Sequence, residues 1–238
     1  MRRLFQCAAI ATLLAGVAPV VAEAQQTMPL GTSGLYVGVD VGAIVPQSMS
    51  VHGTSAGLTF NGDLDFDTGV ASGVTLGFHV SPVIAIEGNF EYAGFDLHSL
   101  SGTASVSGGA NSSVNASLQG RFNTYNGLVN AIWTPLGPAG RYGISPYIGA
   151  GVGFSHMNET LSAFTVAGTT FPASFSGDET DFAANGIIGA DFPIPGLPQL
   201  NLGARYRMLF VNTGASNSGI SNGNFFGHVF TANATWHF

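Results

Sequence analysis

The sequence carries little charge, and it contains no lysine at all. Charged residues make up 8% of the 238 residues, against roughly 25% in an ordinary globular domain. The formal net charge is −7, which argues against a nucleic-acid partner because phosphate binding needs clustered lysine and arginine. The single cysteine is Cys7, close to the N-terminus. The rest of the chain therefore offers neither a disulfide framework nor thiol chemistry.

A long hydrophobic run is also missing beyond the N-terminal stretch. No later segment offers about 18 consecutive apolar residues, so the sequence predicts no transmembrane helix. Apolar residues nevertheless make up 45% of the chain and aromatic residues 11%. Such a content argues against disorder, because disordered chains lack the apolar groups that a fold buries. The period of the apolar pattern must decide between a soluble fold and a membrane β-barrel.

The N-terminus has the layout of an export signal. Two arginines follow the first methionine, a long apolar region comes next, and an A-x-A site ends at Ala24. We predict a signal peptide over residues 1–24 with cleavage after Ala24. Residues 25–33 are then a short periplasmic N-terminal segment, and residues 34–238 form the folded domain.

From Leu35 onwards, apolar residues alternate with small or polar ones, which is the period of a β-strand. The pattern predicts eight strands of about 11 residues or more, enough to cross a bilayer at a tilt. Long polar segments and shorter turns alternate between them, as do the extracellular loops and periplasmic turns of outer-membrane barrels. We predict an all-β fold, an eight-stranded antiparallel transmembrane up-and-down β-barrel in the bacterial outer membrane. The predicted extracellular loops cover roughly residues 46–66, 97–120, 158–180 and 212–225.

The polar face of the strands is expected to line a lumen that side chains nearly fill. Charged residues on that face must be paired, because an isolated buried charge is costly. We predict a salt-bridge network between carboxylates of the first and third strands and arginines of the seventh. This network would plug and stabilise the barrel. Alternatively, it would act as a gate for a channel of small conductance. The predicted lumen charges are Asp40, Glu87, Glu91, Asp191, Arg205 and Arg207.

Several patterns suggest chemistry but have a simpler explanation. Ser155, His156 and Glu159 suggest a hydrolase, yet neighbours on a strand point to opposite faces. The glycines of residues 149–153 resemble a phosphate loop, but they alternate within a strand. The six histidines are scattered without metal-ligand spacing. We therefore predict neither catalytic residues, nor a metal site, nor a cofactor.

Three stretches resemble a known group of proteins. SPYIGAGVGFSHM at 145–157, preceded by NGLVNAIW at 126–133, resembles the middle of the outer-membrane β-barrel superfamily of opacity proteins, surface antigens and OmpA transmembrane domains. LNLGARYRMLF at 200–210 resembles the penultimate strand of the same group. The resemblance implies surface-exposed barrels that act as structural proteins, adhesins, antigens or narrow porins, and it carries over no catalytic residue. It also implies a C-terminal aromatic signal for the outer-membrane assembly machinery, here Phe230, Trp236 and Phe238.

The predicted function is a structural or surface-interaction role, exerted through the extracellular loops on host or envelope partners, with outer-membrane lipid around the barrel. One alternative is a narrow porin for small solutes. A further alternative is an enzyme that modifies outer-membrane lipid, for which His228 at the outer rim is the one suggestive residue.

Overall fold

The computed structural model describes residues 34–55, 58–106, 111–136, 143–166, 168–213 and 220–238. The predicted cleavage after Ala24 and the predicted periplasmic segment 25–33 lie outside these residues. The described chain is almost entirely β-strand, and none of it forms a helix of the length and apolarity needed to cross a bilayer. The strands are β1 (Leu35–Pro46), β2 (Met49–Ser55), β3 (Leu58–Phe66), β4 (Gly69–Ser81), β5 (Ile84–Val106), β6 (Asn111–Trp133), β7 (Ser145–Val166), β8 (Thr169–Ile194), β9 (Leu197–Asn212), β10 (Ile220–Asn222) and β11 (Phe225–His237).

Eight of these strands form a closed antiparallel ring in the order β1, β4, β5, β6, β7, β8, β9 and β11. The ring closes because β1 pairs with β4 on one side and with β11 on the other. Val39 illustrates this closure, since its Cα faces Val74 on β4 and Ala234 on β11. Closure satisfies the backbone N–H and C=O groups of every strand, which a sheet in hydrocarbon requires. The predicted eight-stranded barrel is therefore confirmed.

Side chains alternate between the two faces of the ring. On β1, Leu35, Val37, Val39 and Val41 are exposed, while Tyr36 and Asp40 between them are buried. The same alternation holds around the ring, so an apolar stripe faces outward, and the inner face carries the polar residues together with two apolar clusters. Aromatic side chains mark both edges of this outward belt, as expected at the two membrane interfaces. The exposed ones are Phe90, Tyr125, Trp133, Phe154, Phe182, Phe192, Phe230, Trp236 and Phe238.

The prediction of long loops at one end of the barrel is wrong for the segments 46–66, 97–120 and 158–180, and residues 214–219 of the fourth predicted loop lie outside the described residues. Strands β5 and β6 stay paired as far as Ser105 and Asn111, and β7 and β8 as far as Val166 and Thr169. Residues 46–66 form the hairpin β2–β3, in which β3 pairs along the prolonged β5. Ser, Gly and Thr suggest loops by composition, but their backbone groups pair in an antiparallel ladder as well as any others. We call this part of the sheet the extended end and the opposite part the short-turn end.

Candidate functional site

The middle of the lumen holds Arg207, whose guanidinium contacts two carboxylates on other strands. Its Nη2 donates to Asp40 Oδ1 of β1 at 2.8 Å and is also paired with Glu91 of β5. Its Nη1 donates to Asn89 Oδ1 at 2.9 Å. All four side chains are buried. A fully desolvated guanidinium is favourable only when such charge-assisted bonds replace its water, so this contact ties β9 to β1 and β5 across the lumen.

Arg205 makes a second such contact, one inward position closer to the short-turn end. Its Nη1 and Nη2 donate to the two carboxylate oxygens of Glu87 at 3.1 and 3.0 Å. Its Nε donates to Tyr147 Oη at 2.9 Å, and the Tyr36 hydroxyl donates to Glu87 Oε1 at 3.0 Å. The fork geometry of the guanidinium matches the carboxylate in this bidentate contact. We call Arg205, Arg207 and their carboxylate partners the charge layer.

Asp191 differs from the other predicted lumen charges. It lies on the inner face of β8, and its Oδ1 accepts a hydrogen bond from Asn233 Nδ2 at 3.0 Å instead of an arginine. Asp191 also lines a pocket at the short-turn end, together with Tyr36, His79, Arg205 and His237. The structure thus brings five of the six predicted charges together in ion pairs and places the sixth beside them.

The charge layer depends on two glycines that face aromatic rings. Gly77 faces Tyr36 across the β1–β4 pair, and an added Cβ would lie 2.0 Å from the ring. Gly189 faces Tyr147 across the β7–β8 pair, and an added Cβ would lie 2.4 Å from the nearest atoms of the tyrosine side chain. Only glycine lets the rings lie flat on the neighbouring strand at these positions. The rings can then reach Glu87 and Arg205 with their hydroxyls.

The lumen at the extended end is apolar. Phe95 stacks between Phe122 and Phe225, with ring centroids 5.7 and 5.6 Å apart. Phe66 of the hairpin β2–β3 lies edge-on against all three rings. We call this cluster the apolar layer; its buried members are Ile44, Ala71, Ala93, Phe95, Leu97, Phe122, Leu128, Met157, Ala183, Leu209, Val211, Phe225 and Val229. Aromatic pairs at these distances stabilise the cluster beyond the burial of their apolar area, so the layer fills most of this part of the lumen.

The residues that suggested a hydrolase are separated by the structure. Ser155 is buried in the lumen, whereas His156 lies on the outer face with its Nδ1 2.8 Å from Thr180 Oγ1. His228 contacts the Tyr206 hydroxyl at 2.7 Å and the Gln47 amide at 2.7 Å. Among the described residues, no three His, Cys, Asp or Glu side chains are arranged to hold a metal ion.

Beyond the apolar belt, the extended end is acidic. Burial is the larger cause that raises the pKa of the Glu159 carboxyl, and repulsion from Glu179 raises it further. Slight burial and the neighbouring Asp181 likewise raise the pKa of the Glu179 carboxyl. The described part of this end contains one arginine, Arg121, against a larger set of carboxylates. These are Asp63, Asp65, Asp67, Asp96, Glu159, Asp178, Glu179 and Asp181.

Solved structures of known proteins share the fold. The outer membrane protease OmpT of Escherichia coli is 10% identical, with 90% of this chain and 99% of that chain covered and a TM-score of 0.53. Neisserial surface protein A is 15% identical, with coverages of 87% and 99% and a TM-score of 0.46. OprG of Pseudomonas aeruginosa is 10% identical, with coverages of 87% and 98% and a TM-score of 0.46. At such identities the likeness concerns the fold alone.

No curated protein sequence matches the chain. A protein family does match it, and the match runs from residue 8 to residue 238, the whole of the described barrel included. The family is described as the outer membrane protein beta-barrel domain. The outer-membrane location of this family agrees with three features of the chain: the outward apolar belt, the aromatic side chains at the edges of that belt and the closed ring of strands. The chain belongs to the family of outer membrane proteins with a β-barrel domain, and its place is the bacterial outer membrane.

Proposed function

We propose that the protein is a non-enzymatic barrel that presents the sheet of its extended end outside the cell as an interaction surface. The single observation that carries the proposal is the continuation of β5–β8 beyond the outward apolar belt as paired strands, joined by the hairpin β2–β3. Outer-membrane barrels place their short turns in the periplasm, so the extended end faces outward. A paired sheet holds its side chains in fixed positions, as a binding surface requires.

The filled lumen favours this role over that of a porin. The charge layer crosses the middle of the barrel, and the apolar layer closes the part above it. A solute the size of a sugar would have to separate buried ion pairs and displace stacked phenylalanines. Both steps are costly, because breaking a buried ion pair leaves uncompensated charge and opening the aromatic cluster exposes apolar surface.

The charge of the extended end favours cationic partners. Its carboxylates outnumber its arginine, and Asp96, Asp178 and Glu179 are exposed. Long-range attraction between such a surface and a basic partner increases the association rate and weakens with salt. The enzymatic alternatives have less support, since Ser155 and His156 lie on opposite faces of the sheet wall.

The test uses the protein in nanodiscs of zwitterionic lipid and two immobilised peptides, one rich in arginine and one uncharged. We expect binding to the arginine peptide alone. In the variant Asp96→Asn/Asp178→Asn/Glu179→Gln we expect the affinity to fall about tenfold, which corresponds to about 0.5 kcal/mol for each exposed charge. Binding should also weaken from low to physiological ionic strength.

The matched control removes polar side chains of the same end without a change of charge, as in Asn158→Ala/Thr160→Ala, and should bind as the unaltered protein does. In parallel, swelling of proteoliposomes in small sugars should not exceed that of protein-free liposomes. Equal binding of both peptides would refute the cationic surface, and sugar-driven swelling would favour the porin.

A further inference from the structure

The inner wall formed by β6, β7 and β8 carries polar side chains between the residues that these strands contribute to the apolar layer, such as Phe122 and Leu128. Thr124, Asn126 and Ser155 are buried there beside Leu128 and Met157. On the opposite wall, the inward residues at this height are apolar. A polar stripe therefore crosses the apolar layer on one side of the lumen.

Seven polar atoms of this stripe have no hydrogen-bond partner among the described residues. The unpartnered atoms are Thr124 Oγ1, Asn126 Oδ1, Ser155 Oγ and both side-chain polar atoms of Asn130 and Asn185. An unpaired buried polar atom costs about 1–3 kcal/mol. Buried water normally satisfies such groups and makes about three hydrogen bonds at each site. Thr124, Asn126 and Ser155 lie together, and Asn130 and Asn185 flank Gly151 on a row closer to the short-turn end. Seven such atoms on one wall point to a file of bound water.

The strand register places the stripe between the extracellular side and the charge layer. Asp181 on β8 faces Ser155 on β7, Ser155 faces Asn126 on β6, and Asn126 faces Glu91 on β5. Asn126 Nδ2 donates to Glu91 Oε1 at 3.2 Å. Because rows of register partners climb around a barrel with tilted strands, this row rises from Glu91 toward the extended end.

Below Glu91 the polar route continues along a single strand. Glu91, Asn89 and Glu87 are consecutive inward residues of β5, and all three are buried. Glu87 lines the pocket at the short-turn end, together with Tyr36 and Arg205. Polar groups thus extend from the pocket at the short-turn end to the sheet of the extended end, although the packed side chains leave no path for larger solutes.

The buried carboxylates of the lumen outnumber the guanidiniums, so bound protons would balance the remaining negative charge. The charge layer and the pocket beside it hold four carboxylates, Asp40, Glu87, Glu91 and Asp191, and two guanidiniums, Arg205 and Arg207. Arg207 is shared by two carboxylates, Asp40 and Glu91. A buried carboxylate without a full counter-charge is neutralised most readily by a proton, and that proton must reach it through the barrel.

We propose that the stripe on β6–β8 binds a file of water molecules and that the file, together with Glu91 and Glu87, conducts protons across the membrane while larger solutes are excluded. A hydronium ion in the file gives its proton to a carboxylate, with one O–H bond broken and one formed. The carboxylic acid then gives a proton to the next water in the same way. Neither an oxidant nor a co-reactant is needed. The activity is independent of the surface role proposed above.

The test is proton flux into proteoliposomes that contain a pH-sensitive dye, driven by a potassium diffusion potential with valinomycin. We expect flux above that of protein-free liposomes, without swelling in sugars. The variant Thr124→Val/Ser155→Ala removes two hydroxyls of the file with little change of volume. It should reduce the flux about tenfold, the factor that an added barrier of about 1.4 kcal/mol produces.

The matched control is Thr231→Val on the opposite wall, where the hydroxyl donates to the Arg205 carbonyl oxygen at 3.4 Å and lies outside the file. It should conduct as the unaltered protein does. Heat-modifiable gel mobility verifies that each variant is folded, and Asn126→Leu serves as a second file variant. The proposal is overturned by an absence of flux in the unaltered protein, or by equal flux in file and control variants.

Discussion

Replacing Arg207 with methionine is expected to lower the free energy of unfolding by about 3–5 kcal/mol, the usual cost of removing one partner of a buried ion pair. Methionine fills much of the volume but leaves Asp40 and Glu91 buried without their counter-charge. Denaturant unfolding in lipid vesicles, followed by heat-modifiable gel mobility, measures the loss. Arg121→Met, which removes an exposed guanidinium, is the control and should change the stability by less than about 1 kcal/mol.

The same prediction has a rescue variant that separates charge from packing. In Arg207→Met/Asp40→Asn/Glu91→Gln, the two carboxylates become amides of similar shape, so no buried charge is left unpaired. We expect most of the lost stability to return, because a neutral buried group costs far less than an unpaired ion. If the triple variant is as unstable as Arg207→Met alone, the loss in free energy of unfolding comes from packing. The unpaired charges of Asp40 and Glu91 are then not its cause.

Replacing Phe95 with alanine is expected to cost about 3–5 kcal/mol, the range for a buried phenylalanine. Its side chain is 2% exposed and stacks between two rings at the centre of the apolar layer. The lost ring leaves a cavity that the surrounding β-barrel wall is too rigid to fill. Equilibrium unfolding in vesicles measures the effect.

Phe90→Ala on the same strand is the control for that experiment. Phe90 is 51% exposed and points outward into the apolar belt, so lipid chains can occupy the space of the missing ring. We expect its cost to be well below that of Phe95→Ala. Equal costs for both variants would mean that the interior of the extended end is not packed as described.

The architecture of the ring could be predicted from the sequence because it depends on one simple period. Alternation assigns each residue to a face, so it places Asp40, Glu91 and Arg207 inside without knowledge of their neighbours. Leu128 and Ile132 fall on the polar side of the same pattern. Both face the lumen, as the alternation places them, because the lumen contains apolar clusters at both ends and is not polar throughout.

Contacts across the lumen depend on strand stagger, which the sequence does not reveal. The choice of Arg207 for Asp40 and Glu91, and of Arg205 for Glu87, follows from the register of several strand pairs together. The unpartnered side chains of the stripe were missed for the same reason: Asn126 and Ser155 belong to different strands, and register alone makes them neighbours. The extended sheet is not apparent from the sequence because serine and glycine content is also typical of loops.

The closed ring underlies every other conclusion, and a disulfide across its seam tests it most directly. Val39 on β1 and Ala234 on β11 are register partners on the outer face, so their Cα atoms lie about 4.5–5.5 Å apart, within disulfide range. Val39→Cys/Ala234→Cys should cross-link on oxidation of the membrane-embedded protein. Val39→Cys/Val152→Cys, with the second cysteine on β7 across the barrel, should not. Cross-linking of the second pair, or failure of the first pair in folded protein, would contradict the closed barrel.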